Sequence, residues 1–203
     1  MMIRNVIFDV GNVLIEFDWQ KFLCSLFDEE TAKIVSPAMW GTAAWDEMDR
    51  GVLSMEEVTA LFIANAPDYA PQIRTALDRI GECPVVKLYT VPWIRELKQQ
   101  GYHVYYLSNY FRTLWEQRPD VRAFADETDG GIFSWQEQVI KPAPESFQRL
   151  LRRYDLKAEE SLFIDDSQKN IAAAQALGFH TVRFEGYGQQ HALIAQYLAE
   201  HTK

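Results

Sequence analysis

Cysteine is nearly absent from this chain of 203 residues, with only Cys24 and Cys83. The two lie far apart and fit no metal-ligand spacing, so a disulfide scaffold and a thiolate metal centre are excluded. Two reduced core thiols fit the pattern better than one disulfide. Long apolar runs are lacking as well. The first, Val6-Ile7-Phe8, is closed by Asp9, and no stretch approaches the ~18 residues of a membrane span. No signal peptide precedes it, so the expectation is a cytoplasmic protein with no membrane partner. Positive charge is in deficit: 20 Lys and Arg stand against 29 Asp and Glu, a net charge of −9. Nucleic-acid binding is therefore not expected, because it needs a cationic stripe to displace condensed counterions. Internal repeats and low-complexity tracts are also missing.

What is present is an ordinary globular composition, 48% apolar and 24% charged. A chain of this length can bury roughly 70% of its unfolded surface around one core. Ile3–Phe8 is a β-branched apolar run that stops at Asp9 and Gly11, the pattern of a buried strand running into a loop. The pattern recurs at 103–107, stopping at Ser108-Asn109, and at 161–164, stopping at Asp165-Asp166. A fourth run, 180–184, follows Gly178. Between them lie helical segments. Pro92–Gln100 has proline in its first turn and ends at Gly101. Pro144–Tyr154 spaces Phe147, Leu150 and Leu151 at i, i+3, i+4, and Lys169–Leu177 ends at Gly178.

Short apolar strands alternating with helices predict an α/β fold, a Rossmann-like parallel sheet covered on both faces. Ligands of such sheets bind outside the carboxyl ends of the strands. Asp9, Ser108-Asn109 and Asp165-Asp166 should therefore converge on one edge.

Residues 17–86 read differently: few β-branched runs, many aromatics and helical spacing. Ser54 and Glu57 form a capping box ahead of Val58, Leu61 and Phe62. An insertion this long, where a βα connection takes about 2–6 residues, predicts a helical cap over the strand ends. The expected division is a core of residues 1–16 and 87–203 with a cap of 17–86.

Asp9, at the mouth of the first strand, can act as a nucleophile if cations neutralise an incoming anion; the plain alternative is an acidic turn former. Ser108 and Asn109 offer a hydroxyl and backbone N–H groups suited to phosphate oxygens, or they are an ordinary turn. Lys141, between Ile140 and Pro142, either meets an anion or snorkels to solvent; taken alone, the solvated lysine is the expectation. The adjacent Asp165 and Asp166 repel each other unless a divalent cation or a helix-capping role accounts for both.

Taken in order, FDVGNVL, LSN, KPAPESF and FIDDSQKNIAAAQALG resemble the four motifs of the haloacid dehalogenase-like hydrolase superfamily, across nearly the whole chain. The inserted segment resembles that superfamily's α-helical cap of the first type. The first motif is similar to that of the branch of small sugar phosphatases that includes α-D-glucose-1-phosphate phosphatase. The resemblance implies a phosphoric monoester hydrolase in which Asp9 forms an aspartyl-phosphate. It implies Mg²⁺ held by Asp9, the Gly11 carbonyl and Asp166, with Asp165 supporting the metal and Asn170 tying down the acidic loop. It also implies that Ser108, the Asn109 backbone and Lys141 hold the phosphoryl oxygens, since phosphoryl transfer is mostly positioning and charge neutralisation.

The chain departs from the pattern at Gly11, where the superfamily's common phosphatases carry a second Asp as general acid and base. General acid–base help is typically worth ~10²–10⁴-fold. Either the leaving group is acidic, as in a sugar-1-phosphate, or a cap residue or water supplies the proton. Trp45, Asp46 and Arg50 in the cap, with Trp19 and Tyr110, are candidates for contacting the leaving group; Trp45 could equally be cap core. The four histidines, 103, 180, 191 and 201, share no ligand spacing and carry no catalytic expectation. Leu193, Ile194, Tyr197 and Leu198 predict the docking face of a last helix.

The expected function is an Mg²⁺-dependent phosphatase of a small phosphorylated metabolite, as monomer or homodimer. The competing readings are a metal-independent C–halogen hydrolase, a non-catalytic phosphate-binding regulatory protein, and a phosphotransferase using the same intermediate.

Overall fold

The computed structural model describes residues 2–201. Five parallel strands form the central sheet: β1 (Asn5–Phe8), β4 (His103–Ser108), β5 (Gly130–Phe133), β6 (Ser161–Asp165) and β7 (His180–Arg183), in the order β5-β4-β1-β6-β7. The short β2 (Ile15–Phe17) and β3 (Pro84–Val86) pair separately as an antiparallel ribbon. Five helices lie between those two strands: α1 (Trp19–Leu26), α2 (Glu29–Met39), α3 (Ala43–Arg50), α4 (Met55–Asn65) and α5 (Ala70–Asp78). These make up the inserted helical segment. The remaining helices are α6 (Thr90–Gln99), α7 (Arg112–Gln117), α8 (Phe124–Glu127), α9 (Ser134–Glu137), α10 (Pro144–Tyr154), α11 (Gln168–Ala176) and α12 (Tyr187–Glu200).

The two-residue period of a strand sorts the core. Val6 and Phe8 pack on one face with Val104, Tyr106, Leu162 and Ile164, against Trp93 and Leu97 of α6 and Ile194 and Leu198 of α12. Ile7, Tyr105, Leu107 and Phe163 point the other way, onto Phe147 and Leu150 of α10 and Ile171 and Ala174 of α11. Both faces are covered, which is why these strands read as continuous apolar runs. The cap helices start where side chains satisfy their first N–H groups. Thr42 accepts from the Trp45 N–H, and Ser54 and Glu57 form the expected reciprocal box.

Several sequence expectations need correction. β5 was not foreseen; its Gly130-Gly131 start gives no β-branched signal, and a side chain at Gly131 would collide with the Tyr106 ring. Both cysteines are free, but Cys24 is exposed and only Cys83 is in the core. On α12, Ile194 and Leu198 dock while Leu193 faces solvent. Among the described residues no helix is long and apolar enough to cross a membrane.

Candidate active site

The parallel register sets the site. Phe8 is level with Tyr106 on one side and Ile164 on the other, so the chain leaves β1 at Asp9 beside the ends of β4 and β6. Asp9, Ser108 and Asp165 thus meet at one sheet edge, although about 100 and then 57 residues separate them in sequence. The Asp9 N–H donates to the Ile164 carbonyl at 2.8 Å, extending the ladder by one bond into the site.

Lys141 joins them from the loop before α10. The Asn109 side chain holds that loop from both sides, accepting from the Lys141 N–H at 2.8 Å and donating to its carbonyl at 3.0 Å. Asn109 is therefore a clamp through its amide, which leaves its backbone N–H for a ligand. The Lys141 ammonium lies 2.9 Å from Asp9 Oδ1 and 2.6 Å from Asp165 Oδ2. Only 3% of Lys141 is exposed, which corrects the expectation of a solvated lysine. Burial alone would push its pKa down, but Asp165 and Asp9 outweigh it and the pKa is raised.

Asp165 is fully buried. Its Oδ1 accepts from the Ser167 N–H at 2.8 Å and from Asn170 at 3.1 Å; its Oδ2 accepts from Asn170 at 3.0 Å and from Lys141. Three donor groups making four contacts occupy both oxygens, so Asp165 orients Lys141 and the acidic loop. Asp9 is different. Its Oδ1 accepts from the Val10 N–H at 2.7 Å and from Lys141, while its Oδ2 has no partner among the described residues. Burial, with the nearby Asp165 charge, pushes the Asp9 carboxyl up to about 7 despite Lys141. Asp166 is also raised, by burial and then by Asp165, and Asn12 donates to its Oδ2 at 3.3 Å.

Oxygen atoms of Asp9, Asp165 and Asp166 fall within 4.8 Å of one another. Three carboxyl groups face one ammonium here, so the acids outnumber the base by an excess of two. An all-oxygen donor set with that excess fits a hard divalent cation of the Mg²⁺ kind.

Above this cluster is a cavity of about 270 Å³. Its floor is Asp9, Gly11, Asn109, Lys141 and Asp166, and its wall includes Phe17, Trp40, Trp45 and Phe111. Trp45 is both cap core and cavity lining, its ring edge-on to Trp40 at 4.7 Å. Tyr110 lines the cavity too, but its hydroxyl is buried without a hydrogen-bond partner among the described residues, and the charges that act on it are Arg118, Arg122 and Asp120. The structure does not bring every candidate together. Arg50 pairs with Glu47 at 3.2 Å and, like Trp19 and Asp46, is not part of the cavity lining. The Ser108 side chain is buried beneath the Asn109 carbonyl, 3.4 Å away.

Sequence reasoning missed Asp49 and Asn12. Asp49 is buried and lines the cavity from the cap side; on one helix with Asp46 and Glu47, it gave no signal separating it from a solvated acidic face. Asn12 has a positive φ of 57°, and its side chain also accepts from the Phe17 N–H. The Gly11-Asn12 pair was the available hint, since asparagine tolerates that conformation.

The profile of haloacid dehalogenase-like hydrolases matches residues 3–178. The chain belongs to that family. It is an enzyme of the hydrolase class. A D-ribitol-5-phosphate phosphatase of Bacteroides thetaiotaomicron is 29% identical over 195 residues, covering 91% of this chain and 93% of that protein. A sesquiterpene phosphatase of Aspergillus oryzae is 26% identical over 175 residues, covering 86% of each. Among solved structures, a family enzyme from Bacteroides thetaiotaomicron in complex with magnesium and inorganic phosphate superposes with a TM-score of 0.72. It is 22% identical, covering 94% of this chain and 98% of that one.

Proposed function

We propose that this family member is an Mg²⁺-dependent phosphatase of a small phosphorylated metabolite, a sugar or polyol phosphate, working through an aspartyl-phosphate. The observation that carries this is the Asp9 carboxylate held by a buried Lys141, with one oxygen left free at the floor of the cavity. Asp9 attacks phosphorus. Lys141 and the Asn109 backbone N–H hold the transferring oxygens, for which the charge-assisted lysine bond is the strongest contribution. Asp9, the Gly11 carbonyl and Asp166 would hold the ion, which supplies positive charge to neutralise the phosphoryl group. Asp165 keeps Lys141 aimed at the site.

Two features support the substrate class. A cavity of this size suits a small metabolite, and the aromatic wall of Phe17, Trp40 and Trp45 offers flat faces to the C–H surface of a sugar or polyol. Restriction to sugar-1-phosphates, suggested by the absence of an acid at Gly11, is not required by a cavity that contains Asp49. The test is phosphate release from a panel of sugar and polyol phosphates, with and without Mg²⁺, beside Asp9→Asn. Turnover that needs both the ion and Asp9 is expected; metal-independent turnover or full activity in Asp9→Asn would overturn the reading.

A further inference from the structure

Asp49 sits in the last turn of α3, 7% exposed, and no cation pairs with it among the described residues. It lines the same cavity as Asp9 and Lys141 but belongs to the cap, on the side where a leaving group must lie. Its placement is fixed by docking. The Asp49 carbonyl accepts from Ser134 Oγ at 2.6 Å, and the same Ser134 oxygen accepts from the Tyr110 N–H at 2.9 Å. The cap helix is thus tied to the loop that carries Ser108 and Asn109. Two residues on, Gly51 turns the chain with φ of 69°, and a Cβ there would lie 2.8 Å from Trp135 Cβ. Only glycine lets the end of α3 approach that closely.

Cleavage of an alkyl phosphate needs a proton for the departing oxygen. Lys141 is committed to two carboxylates, and Asp166 lies in the acidic cluster with Asn12. The Tyr110 hydroxyl is buried, and burial pushes its pKa far up, which suits it poorly to give up a proton. Asp49 is the remaining ionisable side chain of the lining.

We propose that Asp49 donates the proton to the leaving-group oxygen and then takes one from the attacking water; this rests on the phosphatase reading above. Its protonation state agrees. Burial, reinforced by Asp46 and Asp9, raises the Asp49 carboxyl to about 8, with Lys141 and a hydrogen bond from the Trp45 side chain opposing. Burial therefore favours the protonated form that a proton donor needs. In the first step an Asp9 oxygen bonds to phosphorus while the bond to the leaving oxygen breaks. The freed electron pair takes the Asp49 proton, and the alcohol departs. In the second step the Asp49 carboxylate accepts a proton from water as the water oxygen bonds to phosphorus. The bond to Asp9 breaks, giving inorganic phosphate, ionised Asp9 and protonated Asp49. Because the acid is on the cap, the catalytic set is complete only with the cap docked.

The experiment compares kcat/KM of wild type and Asp49→Asn, in Mg²⁺, on ribitol 5-phosphate and p-nitrophenyl phosphate, whose phenolate leaves without a proton. A loss of ~10²–10⁴-fold on the alkyl ester, with a change below about tenfold on the aryl ester, is expected. Asp49→Asn should also show a burst of p-nitrophenolate, since hydrolysis of the intermediate loses its base. Asp49→Glu should recover part of the alkyl activity. Equal losses on both esters, or none on the alkyl ester, would overturn the assignment. Wild-type protein inert toward both esters would instead remove the phosphatase reading, and the assignment with it, before any variant is compared. Aryl turnover by Asp49→Asn doubles as the check that the variant folds.

Discussion

The Lys141 ammonium and the Asp165 carboxylate lie 2.6 Å apart with both side chains essentially sealed from water. Neither could be buried alone, because an isolated charge in the interior is strongly disfavoured. Asp165 is in turn fastened by Asn170 and the Ser167 N–H, so the lysine has one allowed position. That position puts its other face on Asp9. A buried pair that contributes little net stability thus fixes where the lysine meets Asp9.

Lys141→Met should destabilise the protein by about 3–5 kcal/mol at pH 7, the usual cost of leaving a buried partner charge uncompensated. Urea unfolding measures it. Phosphate release should fall as well, because the same substitution removes the cation that faces the transferring oxygens.

Asp49→Asn should be more stable than wild type at pH 7, while losing alkyl phosphatase activity. Burial first, then the charges of Asp46 and Asp9, against Lys141 and a hydrogen bond from Trp45, raise the folded carboxyl to about 8 from an ordinary value of 3.8. A raised pKa favours folding fully below the unfolded value, and that contribution is lost as pH rises through 8. At pH 7 folding must therefore bind a proton that the unfolded chain has released, a cost of at most about 4 kcal/mol. Asparagine has no such cost. Thermal melts between pH 4 and 8 should show an advantage for the variant that widens with pH.

Mg²⁺ should raise the melting temperature of the wild type in a saturable way. At 100 times its dissociation constant an ion that binds only the folded state adds about 2.7 kcal/mol, which for a chain of this size is roughly 5–10 °C. Asp166→Asn should weaken the effect, and an unchanged melt across a Mg²⁺ titration would count against the ion site.

Gly51→Ala should loosen the cap. The left-handed conformation costs a non-glycine residue about 1–2 kcal/mol, and the added methyl must push Trp135 away. Lower kcat/KM on an alkyl ester, with less effect on that of an aryl ester, is expected because Asp49 loses its registration while Asp9 keeps its own.

How much of this was legible beforehand differs by residue. Asp9 and Asp165 were readable because each ends an apolar strand, and parallel strands must present their carboxyl ends together. Lys141 is visible in the sequence as part of a motif, but its burial is not, since nothing local distinguishes a buried lysine from a solvated one. Asn109 is readable as the residue that follows a strand end, whereas the use of its amide as a clamp on Lys141 depends on two loops 32 residues apart.

The sequence by itself determined the α/β class, the helical insertion and the sheet edge where chemistry sits. Those follow from hydrophobic period and from strand direction, which are local properties of the chain. Tertiary structure alone decided that Asp49, Trp40 and Phe17 face Asp9 across one cavity and that Arg50 does not. That outcome depends on how the cap docks through Ser134, Gly51 and Trp135, contacts between segments more than 80 residues apart. An acid on an amphipathic helix shows its role only when the partner surface that buries it is in place.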